Sequence, residues 1–115
     1  MKRDMDLIRE LLLEVEKCPS LNGCAIKIPG RSPEDLCYNA KQAQDAGLID
    51  ARFLPGSTEF HVIRLTYEGH EFLEAARNDT LWAKAKESVI RNTGVLTLEG
   101  LKTALPILIR KALGG

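Results

Sequence analysis

No stretch of this sequence approaches the roughly 20 consecutive apolar residues that a membrane-spanning helix needs, so no transmembrane role is expected. The opening residues also lack the uninterrupted apolar region of a secretory leader. Met1, Lys2, Arg3, Asp4, Met5 and Asp6 pass at once into an amphipathic, acid-containing segment. A single cytoplasmic domain is therefore expected, and 115 residues suit one core. Neither sign of charge is in excess: sixteen basic side chains face sixteen acidic ones. The balance holds locally as well. Residues 1–17 carry four basic and five acidic groups, residues 18–66 five and five, and residues 67–115 seven and six. No segment is a polycation, and that bears on function because phosphate neutralisation dominates most binding to DNA.

The cysteines are few and badly placed for a metal. Cys18, Cys24 and Cys37 are an odd number without a CxxC pair, and only His61 and His70 could supplement them. They are expected to be free thiols in a reduced compartment. The patch around Glu68, His70 and Glu71 reads as a solvated helix start, because adjacent helical residues point in different directions. Catalytic signatures are missing too. There is no GxSxG, HExxH, P-loop or glycine-rich phosphate cradle, and Gly94 and Gly100 read as helix-end signals. A Cys37–His61 dyad is the nearest approach to a nucleophile and base. Neither residue sits in a supporting motif, so no enzyme activity, cofactor or small-molecule substrate is expected.

What is present is a sequence of well-punctuated elements. Met5, Ile8, Leu11, Leu12 and Val15 recur at helical spacing and predict a first helix over 4–17. Pro19 and Gly23 break the chain, and residues 24–28 form a short β-like run that ends at Pro29 and Gly30. Ser32 and Pro33 then start a helix over 33–46, with Leu36, Ala40 and Ala43 on its apolar face and Gly47 as its stop. Alternation in 49–54 and 60–65 around Pro55 and Gly56 predicts a hairpin with a turn of four to five residues. Thr66 caps a helix over 67–77, residues 78–80 break it, and a further helix covers 80–92 up to Gly94. Thr97 caps a last helix that runs to about 113. In it Leu98, Leu101, Leu105, Leu108 and Ala112 share a face, and Pro106 is expected to kink or split it.

The order is helix, strand, helix, hairpin, then three helices. That is an α+β chain with a winged-helix-like core over 1–66 and a C-terminal helical extension over 67–115. The segment 33–46 stands where a recognition helix would, and 49–65 where a wing would. A full helix is missing from the space before 33, where most winged helices have one. The stretches MKRDMDLIRELLLEVE, SPEDLCYNAKQAQDAGLID and RLTYEGHEFLEAARNDTLWAKAKE resemble the bacterial and phage-associated family catalogued as domain of unknown function 2513. The resemblance covers nearly the whole chain and implies a bacterial or mobile-element protein with a winged-helix-like core. It carries over no catalytic or binding residues.

Two functions of different kinds follow. In the first, a DNA-binding transcription regulator, Tyr38, Asn39, Lys41 and Gln42 on the second helix would read bases. Lys27, Arg31, Arg52 and Arg64 would hold phosphates. Glu34, Asp35 and Asp45 count against it, since acids on that helix repel the duplex. In the second, a protein–protein interaction module, the same helix and wing or the C-terminal helices engage protein. The last helix is apolar over much more than one stripe, so either it is central to the fold or it pairs with a second copy. Homodimerisation is expected, with Trp82, Leu101, Leu105 and Leu108 as interface residues.

Overall fold

The computed structural model describes residues 2–114. Among them are five α-helices and one two-stranded antiparallel hairpin, an α+β fold. The chain divides into two compact units, Met1–His70 and Glu71–Gly115. No helix among the described residues is long and apolar enough to cross a membrane.

In the first unit, α1 spans Met5–Glu16 and is capped by Asp4, whose side chain accepts the Leu7 N–H. Its buried face is wider than one stripe. Leu7 is fully buried beside Met5, Ile8, Leu11, Leu12 and Val15, because this helix packs on both the second helix and the hairpin. The second helix, α2, spans Pro33–Asp45 with Ser32 as its cap and Pro33 in its first turn. Gly47 follows in the left-handed region, where L side chains are strained, and turns the chain directly into the sheet.

Strands β1 (Ile49–Phe53) and β2 (Phe60–Leu65) pair antiparallel. A bulge interrupts the register between Asp50 and Ala51, and the Ala51 N–H, which faces away from β2, is accepted by the Gln44 side chain at 2.5 Å. The backbone bond from Leu54 N–H to Glu59 narrows the turn to 55–58, which matches the four to five residues expected.

Residues 24–28 correct the expected strand. Their side chains do alternate, with Ile26 buried between exposed Ala25 and Lys27. The backbone pairs with β2 only once, at Cys24 and Val62, before the segment diverges toward Pro29 and Gly30. Alternation therefore reported an extended chain, which the ladder does not follow.

The cysteines correct a second expectation. Cys18 and Cys24 form a disulfide, with Cα atoms 6.2 Å apart, and only Cys37 is a free, buried thiol. Gly23, at φ 93°, folds the loop back against β2, and the Gly23 N–H bonds to Ser20 O at 3.3 Å. No side chain fits there, since a Cβ would lie 2.5 Å from the Val62 carbonyl oxygen. A six-residue separation is thus closed by a turn that metal-type spacing rules do not consider. Closing so short a loop stabilises by about 2 kcal/mol on the chain-entropy estimate. Cys18→Ser, or reduction, is expected to lower the urea midpoint accordingly. An unchanged midpoint would mean that the bridge contributes nothing to folding.

Helix α3 (Tyr67–Ala76) is capped by Thr66, whose hydroxyl accepts the Gly69 N–H and donates to Gly47 O. In the second unit, α4 (Asp79–Thr93) runs from an Asn78 cap to Gly94, and α5 (Leu98–Ala112) starts from a Thr97 cap. Of the kink or split expected at Pro106, the split does not occur. The proline lies on an exposed face, and α5 continues through it. Gly100 lets α5 approach α4 closely, because a Cβ there would meet Val89 at 2.6 Å. Trp82 packs edge-on against Phe72 at 6.0 Å. The intermolecular role expected for Trp82, Leu101 and Leu105 is corrected by their burial within the chain, at 3%, 0% and 1% exposure. Leu108 is half-buried.

Candidate functional site

A concavity lies within the first unit, between the diverging segment 25–31, the start of α2 and the outer half of the hairpin. It encloses about 1040 Å³. Three causes open it. The β2 ladder to residues 24–28 stops after one bridge, Pro29 and Gly30 turn the segment away, and Pro33 fixes the first turn of α2. Ile26, Leu36 and Phe60 are its buried apolar lining, and half-buried Phe53 stacks on Phe60 with ring centroids 5.6 Å apart. Ile28, Pro29 and Leu54 extend the apolar surface. Exposed Lys27, Arg52, Glu59 and His61 supply its polar edge.

Of the eight residues expected to touch DNA, the cleft gathers Lys27, Arg31 and Arg52. Arg31 is already committed. Its guanidinium donates to Asp4 at 2.9 Å and Glu10 at 3.1 Å. Those hydrogen bonds, the one to Asp4 first, raise its pKa above the ordinary arginine value. It works as a tie between the cleft wall and α1. Arg64 pairs with Asp50 across the hairpin at 2.8 Å, in register with it. Lys41 stands over the Phe53 ring at 5.5 Å, while Tyr38 and Gln42 are half-buried on α2.

Asn39 is the clear correction. It is fully buried, so it contacts no nucleic acid in this fold. Its oxygen accepts the Asp4 N–H at 2.7 Å, and its amide donates to Asp35 O at 2.9 Å and Lys2 O at 3.4 Å. The expectation that it reads bases takes its residue type as a sign of exposure. Its position beside Ala40 and Ala43 was the signal for the opposite.

His61 binds Asn22 O through Nε2 at 3.1 Å and so links the hairpin to the disulfide loop. Cys37 is buried. Among the described residues no group of three or more His, Cys, Asp or Glu side chains is placed to hold a metal ion. The apolar floor was not singled out by sequence reasoning, although two of the three phenylalanines flank one turn and Ile26 and Ile28 share a parity. That concentration of large apolar residues near a turn was the available signal.

Comparison with known proteins agrees with the resemblance carried by the three sequence stretches. A family model described as "Hypothetical protein (DUF2513)" matches residues 2–95. A protein of Haemophilus influenzae (strain ATCC 51907 / DSM 11121 / KW20 / Rd), described as "Uncharacterized protein", is 34% identical over 117 residues. The alignment covers 98% of this chain and 99% of that protein. No solved structure matches the chain.

Proposed function

We propose that this chain, which belongs to the family described as Hypothetical protein (DUF2513), is a non-enzymatic protein-interaction module that holds a segment of another protein in the cleft beside its hairpin. The observation that carries the reading is the apolar cleft of about 1040 Å³. In a winged-helix reading of the first unit, α2 is the recognition helix and the hairpin is the wing. The cleft then lies where a DNA reader would present cations. Residues 27–64 instead carry five basic and five acidic side chains, and Arg31 and Arg64 are held by carboxylates. Duplex binding gains chiefly from cations that displace counterions, and a balanced face gains little of that. An apolar floor gains about 25 cal/mol for each Å² that a partner covers.

The test is an amide-resolved NMR titration of the full chain with a pool of short apolar peptides and, separately, with duplex DNA. Peptides are expected to shift Ile26, Phe53 and Phe60, with little change between about 50 and about 200 mM salt. Duplex is expected to shift nothing at the higher salt. Duplex binding that collapses with salt, and that Lys41→Glu and Arg52→Glu abolish without unfolding the chain, would overturn this reading in favour of a DNA-binding one.

A further inference from the structure

We infer that the cleft accepts its partner as an added β-strand, an extended apolar segment flanked by carboxylates that pairs with the outer edge of β2 at Phe60. The inference rests on the protein-interaction reading of the same cleft and specifies how the partner is held.

The hairpin register fixes which backbone groups face outward. Leu54 and Glu59 are joined by a backbone bond, so with alternation Phe53 and Phe60 form a non-hydrogen-bonded pair, as do Ala51 and Val62. Two observations confirm that parity. The Ala51 N–H turns outward to Gln44, and both Val62 backbone groups turn outward to Cys24, each at 2.9 Å. Phe60 lies two residues before Val62, so its N–H and C=O point to the same outer side. Continued pairing from Cys24 and Val62 would place Ile26 opposite Phe60, yet no hydrogen bond joins them. The cleft opens at this position, lined by both residues.

A strand edge facing an apolar cleft is the arrangement in which an extended peptide gains affinity from its backbone and selectivity from alternate side chains. One set of side chains would meet Ile26, Phe53 and Phe60. Charge selects the flanks of the peptide. With Arg31 held by Asp4 and Glu10, exposed Lys27 and Arg52 line the cleft against the single acid Glu59. The lining thus favours a segment bearing Asp or Glu at its ends. The outer edge of β1 is less open, because the Gln44 side chain occupies its Ala51 N–H.

A random peptide library of about eight residues, displayed on phage and panned against the immobilised full chain, tests this. The expected consensus alternates apolar residues with period two and carries acidic flanks. Selected peptides would then be synthesised with N-methyl groups on alternate backbone amides. Methylation in one register is expected to weaken binding by roughly tenfold or more, and in the other register to leave it unchanged. Arg52→Glu is expected to shift the selected flanks away from acids. Peptides that shift Phe60 and Ile26 but show a helical three-to-four-residue period, or tolerate methylation in both registers, would overturn the added strand and leave the interaction module standing. A library that yields no cleft binder would remove both.

Discussion

Gly69→Ala is expected to destabilise the first unit by about 3 kcal/mol, although helix propensity alone favours alanine by about 1 kcal/mol. Gly69 lies in the first turns of α3 with no left-handed backbone to protect. The obstacle is steric. An added Cβ would fall 2.0 Å from the Leu48 carbonyl oxygen and 3.0 Å from its carbonyl carbon. Those are backbone atoms of a fully buried residue, so no flexible side chain can yield. The same carbonyl accepts the Thr66 N–H at 3.0 Å, and Leu48 N–H is itself bonded to Ala43 O. Relief therefore requires α3 to move away from the junction of α2 and β1, which loosens the Thr66 cap on Gly47. Overpacking costs about 1–3 kcal/mol and loss of a cap about 1 more. For a domain of ordinary stability, about 5–15 kcal/mol, that is a large fraction. Thermal unfolding followed by circular dichroism checks it, and a melting temperature equal to or above the parent's would show that propensity outweighs the contact.

The contrast between Gly69 and the other helix-end residues shows where sequence is informative. Ser32, Thr66 and Thr97 were legible as caps, and Gly47 and Gly94 as stops, because each signal acts within four residues of its own backbone. The hairpin was legible for the same reason: Pro55 and Gly56 set the turn, and the alternation on either side sets the strands. What failed to show was set by distant parts of the chain. Alternation in 24–28 was real, but whether those residues pair with β2 depends on where Pro29 sends the chain. Trp82, Leu101 and Leu105 looked like candidates for an intermolecular face because sequence gives the number of apolar residues and not the volume available to enclose them. The cleft belongs to the same class. Ile26, Leu36, Phe53 and Phe60 come from four separate segments, and only the fold makes them one surface. Asn39 is the sharpest case, since its polarity and its burial argue in opposite directions until its partners are known.

That residue also gives the largest expected loss. Were Asn39 a reader of bases on an exposed helix face, replacing it would change stability by no more than about 0.5 kcal/mol. Buried with three partners, it holds the chain entering α1 to the first turns of α2. Asn39→Asp keeps the shape and the acceptor for the Asp4 N–H, but it removes the donor. An ionised oxygen would then face the Asp35 and Lys2 carbonyls without water, so the aspartate must either stay protonated or break the contact. A loss of about 3–4 kcal/mol is expected from the unmatched carbonyls and the buried charge together. The damage should not remain local. Asp4 also caps α1 through Leu7 and receives Arg31, which in turn binds Glu10 and forms part of the cleft wall. Releasing Asp4 therefore frees the 25–31 segment as well as the helix start. Urea unfolding of Asn39→Asp should show a reduced midpoint. Amide exchange in the folded fraction should rise at Ile26 and Arg31, far in sequence from the substitution. If the unfolding free energy stays within about 0.5 kcal/mol of the parent's, the tie through Asp4 does not hold the cleft. Quickened exchange at Leu36 and Ala40 alone would confine the role of Asn39 to α2.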